Sequence, residues 1–335
     1  MRSTPELLKD IRLGLSLSDY FIQYSKRESR PKLSHLIFLL PLFIWKFRWN
    51  NFIIFNRFVR ANKCSTTLVW NQSDIPSISV LVVTSGKDFQ TLRLAIQGVL
   101  LNSVNPIVRI TVIVPAHEVH VVEDLLDDIG VTVPIECLSE NDFYDDNFIG
   151  LLKKSYGQRA GWVLQQYLKI NYVKNNGPEG VLVLDSDTII LHPTQFLDKF
   201  GNQLLMPSAE YHKPYYVLLH QLGIIPTEIP AFTFVTHHML MQPTVLKDIL
   251  KMATVDTVEN LFRKTCDLID HSEQSSQSLD YELYAQGLLQ IAPEKVQIRR
   301  FCNITVQRNK ETLEQVTEIL KTGSSYNSIS LHSYV

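Results

Sequence analysis

The sequence predicts an α/β domain built on a mixed, mainly parallel sheet flanked by helices, with an N-terminal helical extension. Three observations predict it. From Ile75 onward, apolar runs of strand length alternate with segments of helical periodicity, as in a sheet covered by helices. The run VLVL at 181–184 is apolar without alternation, as in a strand buried on both faces. Charge also divides the chain: residues 1–63 hold 12 Lys+Arg against 4 Asp+Glu, a balance of +8, while the remainder holds 20 against 30, a balance of −10.

The extension comes first. Its longest uncharged apolar run, LIFLLPLFIW at 36–45, is ten residues long with Pro41 inside it. A bilayer-spanning helix needs about 20. The run starts too late for a signal peptide, and no small-residue cleavage site follows. Lys26, Arg27, Arg30 and Lys32 precede it, and Lys46, Arg48, Arg57 and Arg60 follow, interleaved with Trp45, Phe47, Trp49, Phe52 and Phe55. Rings at headgroup depth and cations facing anionic lipid suit peripheral contact with the cytoplasmic face of a membrane. A helical pair packed on the main domain or on a second subunit is the alternative.

The main domain, 75–335, begins after the turn residues QSDIP. Strands are expected at 78–84 (ISVLVVT), 110–115 (ITVIVP) and 131–138. Helices are expected at 89–101 and 119–128, and a longer one at 159–174 leads through NNGPEG into the strand at 181–184. Four scattered cysteines, Cys64, Cys137, Cys266 and Cys302, form no C-x-x-C pair, which argues against a structural zinc site and for a reducing compartment. Asn71 and Asn303 head N-x-S/T triplets that matter only in a secretory lumen.

Two carboxylates, Asp185 and Asp187, follow that last strand in VLVLDSDTII. Charges do not belong inside a doubly covered strand, so the pair is expected just past its carboxyl end, where open α/β sheets place ligands. Capping of the following turn is the plainer reading. Two neighbouring carboxylates stay charged together at a cost unless a cation lies between them, and hard oxygen ligands favour Mg²⁺ or Mn²⁺. Such an ion completes its shell with phosphate oxygens, which points to a nucleotide-diphosphate ligand.

These residues resemble the D-x-D segment of metal-dependent glycosyltransferases of the GT-A fold. Further matches follow in order: an upstream helix QRAGWVLQQYLKI, an extended AFTFVTHHMLMQP, an acidic helix start LDYELYAQGLL and a late histidine in SISLHSY. That order is similar to a poorly characterised group of bacterial glycosyltransferase-like proteins and spans about 76–335.

The resemblance implies a nucleotide-sugar donor, a glycan or lipid-linked acceptor, and inversion at the anomeric carbon. Asp185 and Asp187 would meet the metal and the donor, with His332 completing the metal shell. Thr84, closing the first strand, counts among the donor-binding residues. Arg159, Gln166 and Lys169, with Trp162, fall within about 80° of one helix face at 100° per residue, a stripe suited to diphosphate and sugar hydroxyls or else simply solvated. Glu282 is the expected general base, with Asp280 as a second candidate or as N-cap; helix-start electrostatics would also explain both.

One departure stands out. The loop that faces the acceptor in GT-A enzymes commonly carries a glycine, and AFTFVTHHML has none. His237 and His238 stand there instead; strand alternation lets only one reach the site, and His238 is the expected one. A metal site built on that pair is not expected, since no third ligand lies at matching spacing.

Other classes fit less well. The chain has no G-x-x-x-x-G-K-[ST], which excludes a P-loop enzyme. The −10 balance of the main domain would repel a nucleic-acid backbone. A metal-dependent nucleotidyltransferase would also place paired carboxylates on Mg²⁺, a phosphoesterase needs more ligands than cluster near Asp185, and a membrane-associated scaffold could retain a degenerate transferase fold.

Overall fold

The computed structural model describes residues 74–127, 129–130, 133–177, 180–206, 213–225, 233–268, 280–298, 303–324 and 326–332. The basic extension at 1–63 lies outside the described residues. At the centre is a five-stranded sheet of order β3-β2-β1-β4-β7, formed by β1 (Ile78–Val83), β2 (Ile107–Val114), β3 (Ile135–Ser139), β4 (Gly180–Asp185) and β7 (His238–Met241). The first four run parallel, and β7 closes one edge antiparallel to β4. This is the mixed, mainly parallel sheet that the apolar runs imply.

Alternation along the strands divides the core in two. Leu81, Val83, Val181 and Val183 face one side, while Val80, Val82, Leu182 and Leu184 face the other, all buried. Helices α1 (Phe89–Asn102) and α2 (Val119–Asp127) cover the second side. The first is covered by α3 (Asp146–Tyr156), α4 (Ala160–Asn175), α6 (Pro243–Met252), α7 (Val258–Leu268) and α8 (Tyr281–Ile291), with α5 (Lys213–Gln221) at its margin. Burying both faces explains why VLVL carries no polar alternation.

A smaller sheet, β5-β10-β9, extends the fold beyond β4. It joins β5 (Thr188–Ile190), β9 (Asn303–Gln307) and β10 (Ser328–His332), and is backed by α9 (Lys310–Thr322). A pair, β6 (Gln203–Leu205) with β8 (Val296–Ile298), is separate. Strand β5 lies tight on α1 at Gly98: a Cβ there would meet Ile189 Cγ2 at 2.7 Å and the Ile190 carbonyl at 2.9 Å, so only glycine admits this approach. The turn Ser186-Asp187 links β4 of the large sheet to β5 of the small one, so the two carboxylates sit at the junction of the two sheets.

Among the described residues, no helix is long and apolar enough to cross a membrane.

Candidate functional site

Asp185 ends β4, level with Val83 of β1, so its side chain emerges at the carboxyl edge of the sheet. That edge is where the sequence places it. Around it the fold gathers groups from four other elements.

From α4, Lys169 Nζ donates to Asp185 Oδ1 at 2.7 Å and to Asp280 Oδ2 at 2.9 Å. Tyr281, the first residue of α8, donates its hydroxyl to the same Asp185 oxygen at 2.8 Å, and Lys169 Nζ lies 4.7 Å from the centroid of its ring. The lysine side chain is 5% exposed. Burial works against its charge, but Asp185 and then Asp280 override that and hold its pKa well above the ordinary value. Burial likewise opposes the charge of Asp185, and Lys169 with His237 overrides it, keeping this carboxylate ionised far below the usual range.

The other oxygen of Asp185, Oδ2, faces His237 Nδ1 at 3.1 Å. Antiparallel pairing of β4 with β7 sets this meeting, since Asp185 N donates to the His237 carbonyl at 2.8 Å. The structure thus brings His237 to the site, not His238. Strand alternation fails as a guide because His237 precedes the strand and takes φ 61°. His238 turns into the core, where Nδ1 donates to the Thr236 carbonyl at 2.9 Å and burial pushes its pKa down to about 4.

Asp187 has its own histidine. Strand β10 pairs antiparallel to β5, and Leu331 N donates to the Asp187 carbonyl at 2.8 Å. This register sets His332 Nδ1 3.0 Å from Asp187 Oδ2 across 145 residues of chain. The rings of His237 and His332 meet edge to face, centroids 5.4 Å apart. Asp185, His237, His332 and Asp187 therefore form one continuous arc.

The remaining candidates divide. Asp280 is the N-cap of α8, as its position suggests, and its second oxygen takes the lysine. Glu282 is placed away from the open cluster: it is 0% exposed, and its oxygens accept from Phe234 N, Tyr216 Oη and Gln286 Nε2. Burial raises its pKa, opposed by hydrogen bonds led by Thr233 and Phe234. Its neighbour one turn-position earlier, Tyr281, is the α8 residue that reaches Asp185; an aromatic with a polar tip at the first helical position was the available signal for it. The stripe on α4 is also divided. Arg159 is exposed, whereas Gln166 and Lys169 are buried because α3, α6 and α7 pack around this helix, so Lys169 meets carboxylates and not an open face. Thr84 lies beyond β1, 2% exposed; its amide donates to the Ile113 carbonyl at 3.0 Å, while its Oγ1 is buried with no hydrogen-bond partner among the described residues.

Whether a divalent ion fits is decided by the donors. Asp187 oxygens beside the His332 imidazole are a donor set that Mn²⁺ accepts, and Mg²⁺ or Mn²⁺ is commonly held by one or two carboxylates with phosphate oxygens filling the shell. Among the described residues, no three His, Cys, Asp or Glu side chains converge into a cage of their own. An ion here fits only with ligand oxygens as partners. Asp185 already pairs with Lys169, so an ion beside it would share that carboxylate with the lysine.

Comparison with solved structures finds glycosyltransferases. Mouse xyloside xylosyltransferase 1, apo form, is 10% identical with TM-score 0.43, covering 77% of this chain and 98% of that one. The bifunctional glycosyltransferase WbbM, apo, is 10% identical at TM-score 0.41, covering 80% of this chain and 47% of that one. The galactosyltransferase LgtC, in complex with donor and acceptor sugar analogues, is 12% identical at TM-score 0.40, covering 77% and 88%. No curated protein matches the chain. Residues 99–326 match the model of DUF6492, described as a family of unknown function. That match takes in most of the sheet, the D-x-D turn and α8, and on it the chain belongs to the DUF6492 family.

Proposed function

We propose that the protein is a glycosyltransferase that moves a sugar from a nucleotide-diphosphate sugar to a hydroxyl of a glycan or lipid-linked acceptor. One observation carries this reading: Asp185 and Asp187 stand at the carboxyl edge of the central sheet, with His332 returned to Asp187 by β10. Thr84 supports it, since a buried hydroxyl at the end of β1 without a partner among the described residues suits a ligand's polar group. The Asp187–His332 pair would hold Mn²⁺ or Mg²⁺ against the diphosphate, and the ion would supply charge for the departing nucleotide diphosphate. Asp185, fixed by Lys169 and Tyr281, would accept hydrogen bonds from donor hydroxyls.

Glu282 is buried and its oxygens already accept from Phe234 N, Tyr216 Oη and Gln286 Nε2, which supports an anchoring role over that of general base. Inversion, which the resemblance implies, is tested by the anomeric configuration of the product. The +8 of residues 1–63 supports docking on anionic lipid beside a lipid-linked acceptor, each cation near the surface contributing about 1 kcal/mol. Loss of co-sedimentation with anionic liposomes when residues 1–63 are deleted tests that part.

A second reading, a scaffold with a degenerate site, is favoured by the internal cation: Lys169 already neutralises Asp185. Incubation with a panel of nucleotide sugars and Mn²⁺ separates the two. Slow hydrolysis of one donor supports a transferase. Binding without hydrolysis or transfer supports the scaffold.

A further inference from the structure

We propose that His237 is a positioning residue of the D-x-D site, kept for its imidazole at a point where the backbone favours glycine; the ligand named in its test rests on the transferase reading above. Only two non-glycine residues among those described have positive φ, Thr254 at 56° and His237 at 61°. This region crowds Cβ against the backbone and is occupied mainly by glycine, with asparagine, aspartate and histidine next. Thr254 has a local reason: it follows α6, and its amide donates to the Lys251 carbonyl as the helix ends. His237 ends no helix. It precedes β7, and its carbonyl is held by Asp185 N.

What His237 gains there is contact. The left-handed backbone turns its ring back over the sheet edge, Nδ1 3.1 Å from Asp185 Oδ2. Asp185 Oδ1 is already held by Lys169 and Tyr281, so those two donors alone leave the carboxylate able to swing about that oxygen. His237 fixes the second oxygen and with it the plane of the carboxylate. Its other side packs edge to face on His332, the partner of Asp187. One strained residue thus sets the orientation of the first aspartate and the seat of the second histidine. Residues held in costly backbone regions persist where surrounding structure enforces them, and they gather at ligand sites.

The test separates fold from site. The full chain and His237→Gly are compared by thermal unfolding without ligand, then by titration with Mn²⁺ and inorganic pyrophosphate, a probe independent of base and sugar. Glycine relieves the backbone and so offsets the lost imidazole contacts, and His237→Gly is expected to unfold within a few degrees of the natural protein yet bind Mn²⁺–pyrophosphate at least tenfold more weakly. His237→Asn, which tolerates the same backbone and offers an amide N–H to Asp185, recovers part of that binding. Equal binding by His237→Gly overturns the role, and so does a fall in unfolding temperature of more than about 10 °C, which would make the imidazole a structural prop. A natural protein that ignores Mn²⁺–pyrophosphate overturns the transferase reading and this role with it, an outcome distinct from failure at His237 alone.

Discussion

Lys169 Nζ lies 2.7 Å from Asp185 Oδ1, so the cation nearest the first aspartate of the D-x-D turn belongs to the protein itself. The same ammonium reaches Asp280 at 2.9 Å, joining α4, β4 and the start of α8 through one buried charge.

Removing that cation should be costly. Lys169→Met leaves Asp185 and the buried Asp280 without their partner, and breaking a buried pair from one side costs about 3–5 kcal/mol. Chemical denaturation measures it. A loss under about 1 kcal/mol would mean that water or rearrangement compensates the carboxylates and that Lys169 does not organise the site.

Asp187 should behave in the opposite way. It sits in a turn, and its side chain meets His332 at a part-exposed edge, so Asp187→Ala should leave the unfolding temperature within a few degrees. The variant should lose the Mn²⁺-dependent stabilisation that a nucleoside diphosphate gives the natural protein, since a ligand bound only by the folded state raises stability by mass action. An unchanged metal-dependent shift would remove Asp187 from the metal site.

Glu282→Gln distinguishes an anchor from a base. The amide keeps the shape and can still accept from Phe234 N and Tyr216 Oη, so transfer should persist within about tenfold once a donor is known. Glu282→Ala should instead free the 233–237 segment, read as faster amide exchange at Phe234. Abolition of transfer by Glu282→Gln, with donor binding intact, would restore the catalytic-base assignment.

Acid should find His238. Burial lowers its pKa to about 4 in the folded state against 6.5 as its ordinary value, so the unfolded chain takes up a proton that the folded protein refuses. That contribution to stability is intact above about pH 6.5 and is lost as pH falls toward 4. At about 1.4 kcal/mol per unit the loss approaches roughly 3 kcal/mol. Denaturation midpoints between pH 7 and 4.5 measure the slope, and His238→Asn should flatten it. An equal slope in the variant would place the titration elsewhere.

Much of the fold was legible in the chain. Apolar-rich runs at 78–84 and 181–184 marked strands, the second covered on both faces, and periodic segments at 89–101 and 159–174 marked helices beside them, within a residue or two of the observed ends, because burial imposes those periods directly on residue type. The same logic expected Asp185 and Asp187 past a strand end, and the structure makes Asp185 the last residue of β4 with Asp187 in the turn after it: a charge deep inside such a strand has no partner and no water. His332 was singled out only by the resemblance, and the fold sets its Nδ1 3.0 Å from Asp187 Oδ2. Tertiary structure decided the rest. That Lys169 faces carboxylates and not solvent depends on α3, α6 and α7 closing around α4, which no stripe on one helix can express. The choice of His237 over His238 depends on a single left-handed residue before β7, where alternation does not apply. Glu282 and Asp280 are two positions apart on one helix start, and only the packing of α8 decides that one closes a buried network while the other meets the lysine. Sequence determines which residues must be buried and which must end a strand, since those follow from the residue's own chemistry. Partnership between charged groups is a property of the space between elements, and only the assembled fold supplies that.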